Sequence, residues 1–219
     1  GLKTGVVYTI RETVAPEGFD KVETVINFTV AEDGTVTVDE VTENGRVVAA
    51  LEDGVIVLKD APSKPEIEKY VNNDVHQNLV EFDKAIKYDI LAFVPGDADE
   101  IEITDTLVNA LEFADKDGNA STDTTAVVTA VEVKDSNDHK VNGTVSGNGT
   151  ALGDKAAAQI TGKNLKVTVA DAKEFRGKYI QVTFYAKYTE ATIKAAQADD
   201  SKEVTNNGAV PQGAAKHKG

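Results

Sequence analysis

Apolar and polar residues alternate with period two over most of the chain, and short turn signals separate the alternating runs. This is the pattern of antiparallel strands with one buried face. In the first third the runs are 6–13, 22–30, 35–41, 46–51 and 54–59, broken by Asp33-Gly34, Asn44-Gly45 and Asp53-Gly54. Asx-Gly pairs tolerate the positive φ of tight hairpins, so each break predicts a turn. Ala61-Pro62-Ser63-Lys64-Pro65 then stops the alternation. Two prolines remove ladder donors and favour extended chain, which sets a domain boundary there. Beyond it, strands are predicted at 66–72, 85–94, 100–105, 126–134, 140–145, 164–169, 178–188 and 203–210. Short helical turns are expected near 106–111 and at 171–176, the second capped by Asp171. Residues 191–202 read as a loop or short helix, and 211–219 as a disordered tail or a cut strand. The fold class is all-β: two β-sandwiches in tandem, 1–62 and 66–210, joined by a linker at 63–65.

Composition narrows what such sandwiches can do. The 219 residues carry 23 Lys+Arg against 37 Asp+Glu, a net charge of -14. Nucleic-acid binding is excluded as a reading, because phosphate contacts need a basic face. Anionic membrane surfaces are disfavoured for the same reason. No run approaches the roughly 20 apolar residues of a membrane span, and no signal peptide stands at the start. With no Met in the chain, the sequence reads as an excised fragment. With no Cys there is no disulfide, thiolate zinc cluster or thiol nucleophile. Three His (His76, His139, His217) leave little material for a triad or a histidine metal site. No cofactor and no metal are expected, and the chain does not read as an enzyme.

Several motifs imitate sites. Asp115-Lys116-Asp117-Gly118-Asn119 resembles the start of a calcium loop, but its Gly comes fourth where an EF-hand needs it sixth; a β-turn is the stronger reading. Asp97-Ala98-Asp99-Glu100 reads as a solvated acidic loop, with a weak cation site as the minor alternative. Sequons start at Asn27, Asn119, Asn142 and Asn148 and matter only in eukaryotic secretion. Gly143 to Gly149 lacks the strand-to-helix context of a phosphate loop.

Residues 8–19, Tyr-Thr-Ile-Arg-Glu-Thr-Val-Ala-Pro-Glu-Gly-Phe, resemble the signature of Cna B-type domains, the prealbumin-like stalk modules of Gram-positive adhesins and pilins. Ile26 to Val30, Glu32 to Val36 and Val55 to Asp60 continue the likeness through residue 62. The resemblance implies an isopeptide bond between a first-strand Lys and a last-strand Asn or Asp beside a Glu. Glu12 would be the proton shuttle and Asp60 the acceptor. The opening strands with the reactive Lys should precede residue 1, and Lys3 falls outside the nucleophile's position.

Residues 64–210 resemble the isopeptide-forming Cna A-like domain of fimbrial shaft proteins. The matching runs are Pro65 to Asn72, Lys87 to Ile90, Ile103 to Leu107, Asn164 to Val169, Gly177 to Ala186 and Asn206 to Val210. The likeness implies Lys69 as nucleophile, Asp105 as acid and Asn207 as acceptor, with Asn206 as fallback. The residues themselves are compatible with that chemistry. Ile67-x-Lys69-x-Val71 puts Lys69 on an apolar strand face, and Asp105 follows Ile103 by two. Burial disfavours ionised forms, so an amine there can attack as a neutral nucleophile and the acid can hydrogen-bond the amide it attacks. The same pattern also fits a buried Lys–Asp ion pair without covalent chemistry.

The resulting expectation is a cell-surface, extracellular structural protein, either a pilus shaft subunit or an adhesin stalk. Its partners would be neighbouring stalk domains and, in the full-length protein, sortase. The alternative is a ligand-binding adhesin module that grips a host protein or glycan through loops 114–125 and 135–163.

Overall fold

The computed structural model describes residues 1–63, 66–72, 82, 84–134 and 148–198, together with the backbone of 214–218. The chain divides into two compact units, Gly1–Ser63 and Lys64–Gly219. Both are built almost wholly of antiparallel strands, the all-β class that the alternation predicts.

The first unit holds β1 (Val7–Ile10), β2 (Phe19–Asp20), β3 (Ile26–Val30), β4 (Val36–Val38), β5 (Val41–Glu43), β6 (Arg46–Glu52), β7 (Val55–Leu58) and β8 (Ala61–Pro62). They form a β1-β3-β4 sheet, a β5-β6-β7 sheet and a β2-β8 pair. The Asx-Gly turns stand where predicted: Asn44 and Asp53 take positive φ, each followed by a glycine that does the same. The run at 22–30 yields a strand only from Ile26, because the backbone N–H of Val22 is drawn to the Glu12 carboxylate and that of Thr24 to Glu43. The buried apolar side chains of this unit are Val22, Ile26, Val48 and Ala49. Every large hydrophobic side chain exposed among the described residues also belongs to it: Leu2, Val6, Val7, Val14, Leu51 and Val55.

The second unit contains β9 (Ile67–Val71), β10 (Ile86–Phe93), β11 (Glu100–Thr106), β12 (Leu111–Phe113), α1 (Thr124–Val127), β13 (Val128–Lys134), β14 (Thr150–Ala151), β15 (Ala157–Thr161), β16 (Asn164–Val169), β17 (Tyr179–Tyr188), α2 (Glu190–Ala198) and β18 (Ala214–Lys218). One sheet runs β14-β13-β17-β10-β9, with β12 also on β17; the other runs β15-β16-β11-β18. Their facing sides enclose the core, in which Ile86, Ile90, Val182 and Phe184 of the first sheet meet Ile101, Ile103, Leu165 and Val167 of the second. Inward residues recur every second position, as the pleat requires.

The structure corrects several expectations. Residues 106–111 form no helix: Leu111 starts β12, and the turn before it is closed by the Leu111 N–H on Val108 O. The helical turn near 171–176 exists as a 3-10 turn at Lys173–Phe175, but Ala172 precedes it and Asp171 does not cap it. The helix α1 arises instead after Asp123, whose carboxylate accepts from the Thr125 N–H. Of the two readings of the stretch from 191, loop or short helix, the helix holds: it belongs to the nine-residue α2, whose Ala-rich composition favours that state. Residues 148–163, expected as loop, supply β14, a 3-10 turn and β15. In the tail, the strand alternative holds at 214–218, which pairs with β11, Ala214 opposite Thr104 and Lys218 opposite Glu100. The predicted strands at 140–145 and 203–210 lie outside the described residues.

Candidate functional site

Lys69 and Asp105 come from different sheets and meet in the core between them. In β9 the alternation sends Ile67, Lys69 and Val71 to one face and Glu68 and Tyr70 to the other; β9 pairs with β10, and Lys69 stands opposite Ile90. In β11, Ile101, Ile103 and Asp105 share the buried face, at 0%, 1% and 1% exposure. The Lys69 Nζ donates to Asp105 Oδ1 at 2.8 Å and to Oδ2 at 3.0 Å. The lysine side chain is 12% exposed and the aspartate side chain 0%. A pair so enclosed costs desolvation that a surface pair does not, and its mutual attraction must offset that cost. Strand β18 runs along the far edge of β11, bringing the C-terminal segment against the strand that carries Asp105. The expected acceptor Asn207 and its fallback Asn206 lie outside the described residues.

Sequence reasoning missed the walls of this site. Tyr88 of β10 and Phe184 of β17 are directly paired across their strands. Their rings stack with centroids 5.3 Å apart. The Lys69 Nζ lies 4.7 Å from the Tyr88 centroid and 5.7 Å from that of Phe184. The inward alternation Ile86-x-Tyr88-x-Ile90 is visible in the sequence, but nothing there says which lysine the ring faces.

On the opposite face of the same sheet lies a second polar cluster that the sequence did not disclose. Asp89, fully buried, accepts from Gln181 Nε2 at 2.7 Å and from Thr183 Oγ1 at 2.5 Å, and Lys87 Nζ stands 3.0 Å from its other oxygen. Both hydrogen bonds fall on Oδ1; the buried Oδ2 has no hydrogen bond and is met by the Lys87 charge, so the cluster compensates a buried carboxylate, which is a structural task.

In the first unit, Glu12 follows β1 and Asp60 follows β7, and the fold brings the two carboxyls together. Glu12 Oε2 accepts from the Val22 N–H at 2.7 Å. Burial is the main cause that raises the Asp60 carboxyl above the usual range, and the charge and hydrogen bond of Glu12 add to it; the Arg46 charge opposes them. Asp60 Oδ1 is buried without a hydrogen-bond partner. Among the described residues no lysine ion pair reaches either carboxyl, and Lys3 is exposed.

The acidic motifs are turns and clamps. Asp115 Oδ1 accepts from the N–H groups of Asp117 and Asn119, and Oδ2 from Asn119 Nδ2, holding the carboxyl below its ordinary value, with the Asn119 side chain the first cause. Three of its about four acceptor sites are therefore taken inside the loop. Asp99 is held by Arg176 at 2.7 Å, with Lys173 at 3.7 Å. No group of three or more His, Asp and Glu suited to a metal ion occurs among the described residues. A groove of about 420 Å³ on the second sheet is lined by Thr104, Asp105, Thr106, Gln159, Thr161, Asn164, Leu165 and Lys166, with no aromatic ring.

Comparison with known proteins agrees with the resemblance at the N-terminal end. Residues 1–44 match the family described as SpaA: Prealbumin-like fold domain. The chain is 30% identical over 154 residues to platelet adherence protein A of Streptococcus gordonii; the match takes in 70% of this chain and 4% of that protein's length. Among solved structures it is similar to BcpA, the major pilin subunit of Bacillus cereus (20% identity, 87% of this chain and 46% of that one, TM-score 0.37). It is also similar to the pilus backbone RrgB of Streptococcus pneumoniae (14% identity, 59% and 47%, TM-score 0.40). Both pilin likenesses span less than half of the solved chains.

Proposed function

We propose that the chain is a load-bearing segment of a Gram-positive surface protein, a pilus shaft subunit or adhesin stalk, whose second unit locks itself with an amide bond between Lys69 and Asn207. The observation that carries this reading is the buried Lys69–Asp105 pair, held by strands of opposite sheets in an apolar core. A lysine and an aspartate placed there for stability alone would be matched by an apolar pair of the same volume. As a reaction centre the pair has a use. Lys69 Nζ passes a proton to Asp105 and attacks the side-chain carbonyl carbon of the acceptor, to which Asp105 hydrogen-bonds. The tetrahedral centre then expels its nitrogen, which takes protons and leaves as ammonia, and a C–N bond to Nζ replaces the C–N bond lost. The core fixes the groups in contact, so effective concentration does the work of a cofactor. Such a bond ties the first strand of the unit to its closing segment, where tension along the chain would peel them apart.

The register of β18 favours a second acceptor. Ala214 sits opposite Thr104, one residue from Asp105. Of the carboxamides that precede it in the sequence, Gln212 stands two residues away and Asn207 seven. Either acceptor releases one ammonia. Intact mass spectrometry should therefore show a deficit of one ammonia against the sequence, restored to full mass in Lys69→Ala and Asp105→Ala. Peptide mapping of Asn207→Ala and Gln212→Ala then identifies the acceptor. A folded wild-type chain of full mass would overturn the reading.

For the first unit, Glu12 and Asp60 are suited to be the acid and acceptor of an equivalent bond, which would release water instead of ammonia; no lysine ion pair reaches either carboxyl among the described residues, so the expected mass deficit is that of ammonia alone. The alternative of a host-binding module draws on the name of the streptococcal relative. It is less well supported: the described groove has no aromatic ring in its lining, of the kind that ligand sites favour, and a binding screen against matrix proteins and glycans decides it. The surface location follows from either reading.

A further inference from the structure

We infer that Tyr88, backed by Phe184, is a positioning residue for the Lys69 amine: the stacked rings form a platform that takes the place of water around Nζ and leaves Asp105 as the group that receives its proton. The inference rests on the crosslinking reading above and names a part of its machinery.

A lysine ammonium has three N–H donors and is strongly hydrated in water. Here its hydrogen bonds run to the two oxygens of Asp105, and the Tyr88 ring lies 4.7 Å away. An aromatic face attracts the ammonium without offering a lone pair that could take the proton. The amine is thus held by two kinds of contact that differ in chemistry. The carboxylate can accept a proton, and the ring cannot. An aliphatic wall would exclude water equally well but would not hold the nitrogen, while a polar wall would hold it by competing with Asp105. The platform is itself rigid. Tyr88 and Phe184 are opposite one another in the β10–β17 register, their rings lie 18° from parallel, and Phe113 packs edge-on against Phe184 at 6.1 Å. Both ring residues are buried, at 4% and 0% exposure.

The test follows bond formation during cell-free synthesis of the full chain by the appearance of the ammonia deficit. Tyr88→Phe keeps the ring and should crosslink at close to the wild-type rate. Tyr88→Leu keeps the burial without the ring and should slow the reaction on the order of tenfold or more, as misplacement of a reacting group does. Tyr88→Gln, which supplies a competing amide oxygen, should be slower still. Circular dichroism confirms that each variant is folded. NMR adds a readout that needs no bond: the Lys69 ε-methylene protons should be shifted upfield by ring currents in wild type and in Tyr88→Phe, and not in Tyr88→Leu. Equal crosslinking rates in the Phe and Leu variants, or no upfield shift in wild type, would overturn the platform while leaving the crosslink standing. A folded wild-type chain of full mass overturns both.

Discussion

Replacing Lys69 and Asp105 together by Met and Leu separates a crosslink from an ion pair. Breaking one partner alone leaves a buried charge without its counterpart and costs about 3–5 kcal/mol whether or not a bond exists, so the stability of single variants cannot decide the question. The double variant removes both charges and fills with apolar atoms the space beside Tyr88 and Ile90 in which the wild-type Lys69 and Asp105 side chains are 12% and 0% exposed. If the pair is only electrostatic, the swap is neutral or stabilising by about 1–4 kcal/mol. If Lys69 is bonded to Asn207, the swap opens a closed loop of well over a hundred residues. Chain-entropy reasoning borrowed from disulfides puts that loss at about 5 kcal/mol. With each kcal/mol worth roughly 2–4 °C at this chain length, the midpoint of the second unit should fall by about 10–20 °C. Calorimetry on the full chain, alongside intact mass, reads this directly. A double variant that melts at or above the wild-type temperature would refute the crosslink argument, and the pair would then be a buried ion pair alone.

Other expectations concern the first unit. Asp60 has its carboxyl raised by burial and by Glu12, so the folded state binds its proton more tightly than the unfolded chain. Its contribution is therefore most favourable below the ordinary aspartate value and is lost as pH rises through the raised one. Asp60→Asn should stabilise the first unit at neutral pH and flatten that acid-side dependence in a pH series of thermal melts; destabilisation at neutral pH would count against it. Limited proteolysis should cut within β1–β7 before it cuts within β10 or β17, since the first unit buries few apolar side chains and exposes six large ones. Cleavage in the reverse order would contradict that account of its core.

Period-two alternation was enough to establish the all-β class and the turns, because a strand with one buried face writes its geometry into every second residue. It also placed Lys69 with Ile67 and Val71, and Asp105 with Ile103, on inward faces. It failed where local pattern is weak or ambiguous. The short β12 and β15 carry too few contrasting positions to stand out, and the Ala-rich α2 reads equally as loop. Family likeness, not periodicity, linked Lys69 to Asp105, because contact between residues 36 apart on different sheets depends on how those sheets face each other. The same holds for the Tyr88–Phe184 rings over Nζ, for the hydrogen bonds that converge on buried Asp89, and for the approach of Asp60 to Glu12. Sequence alone determined which way each side chain leaves its strand, since that is fixed by the two neighbours along the backbone. The tertiary structure alone decided what it meets there, because register and sheet packing are settled by the whole core at once.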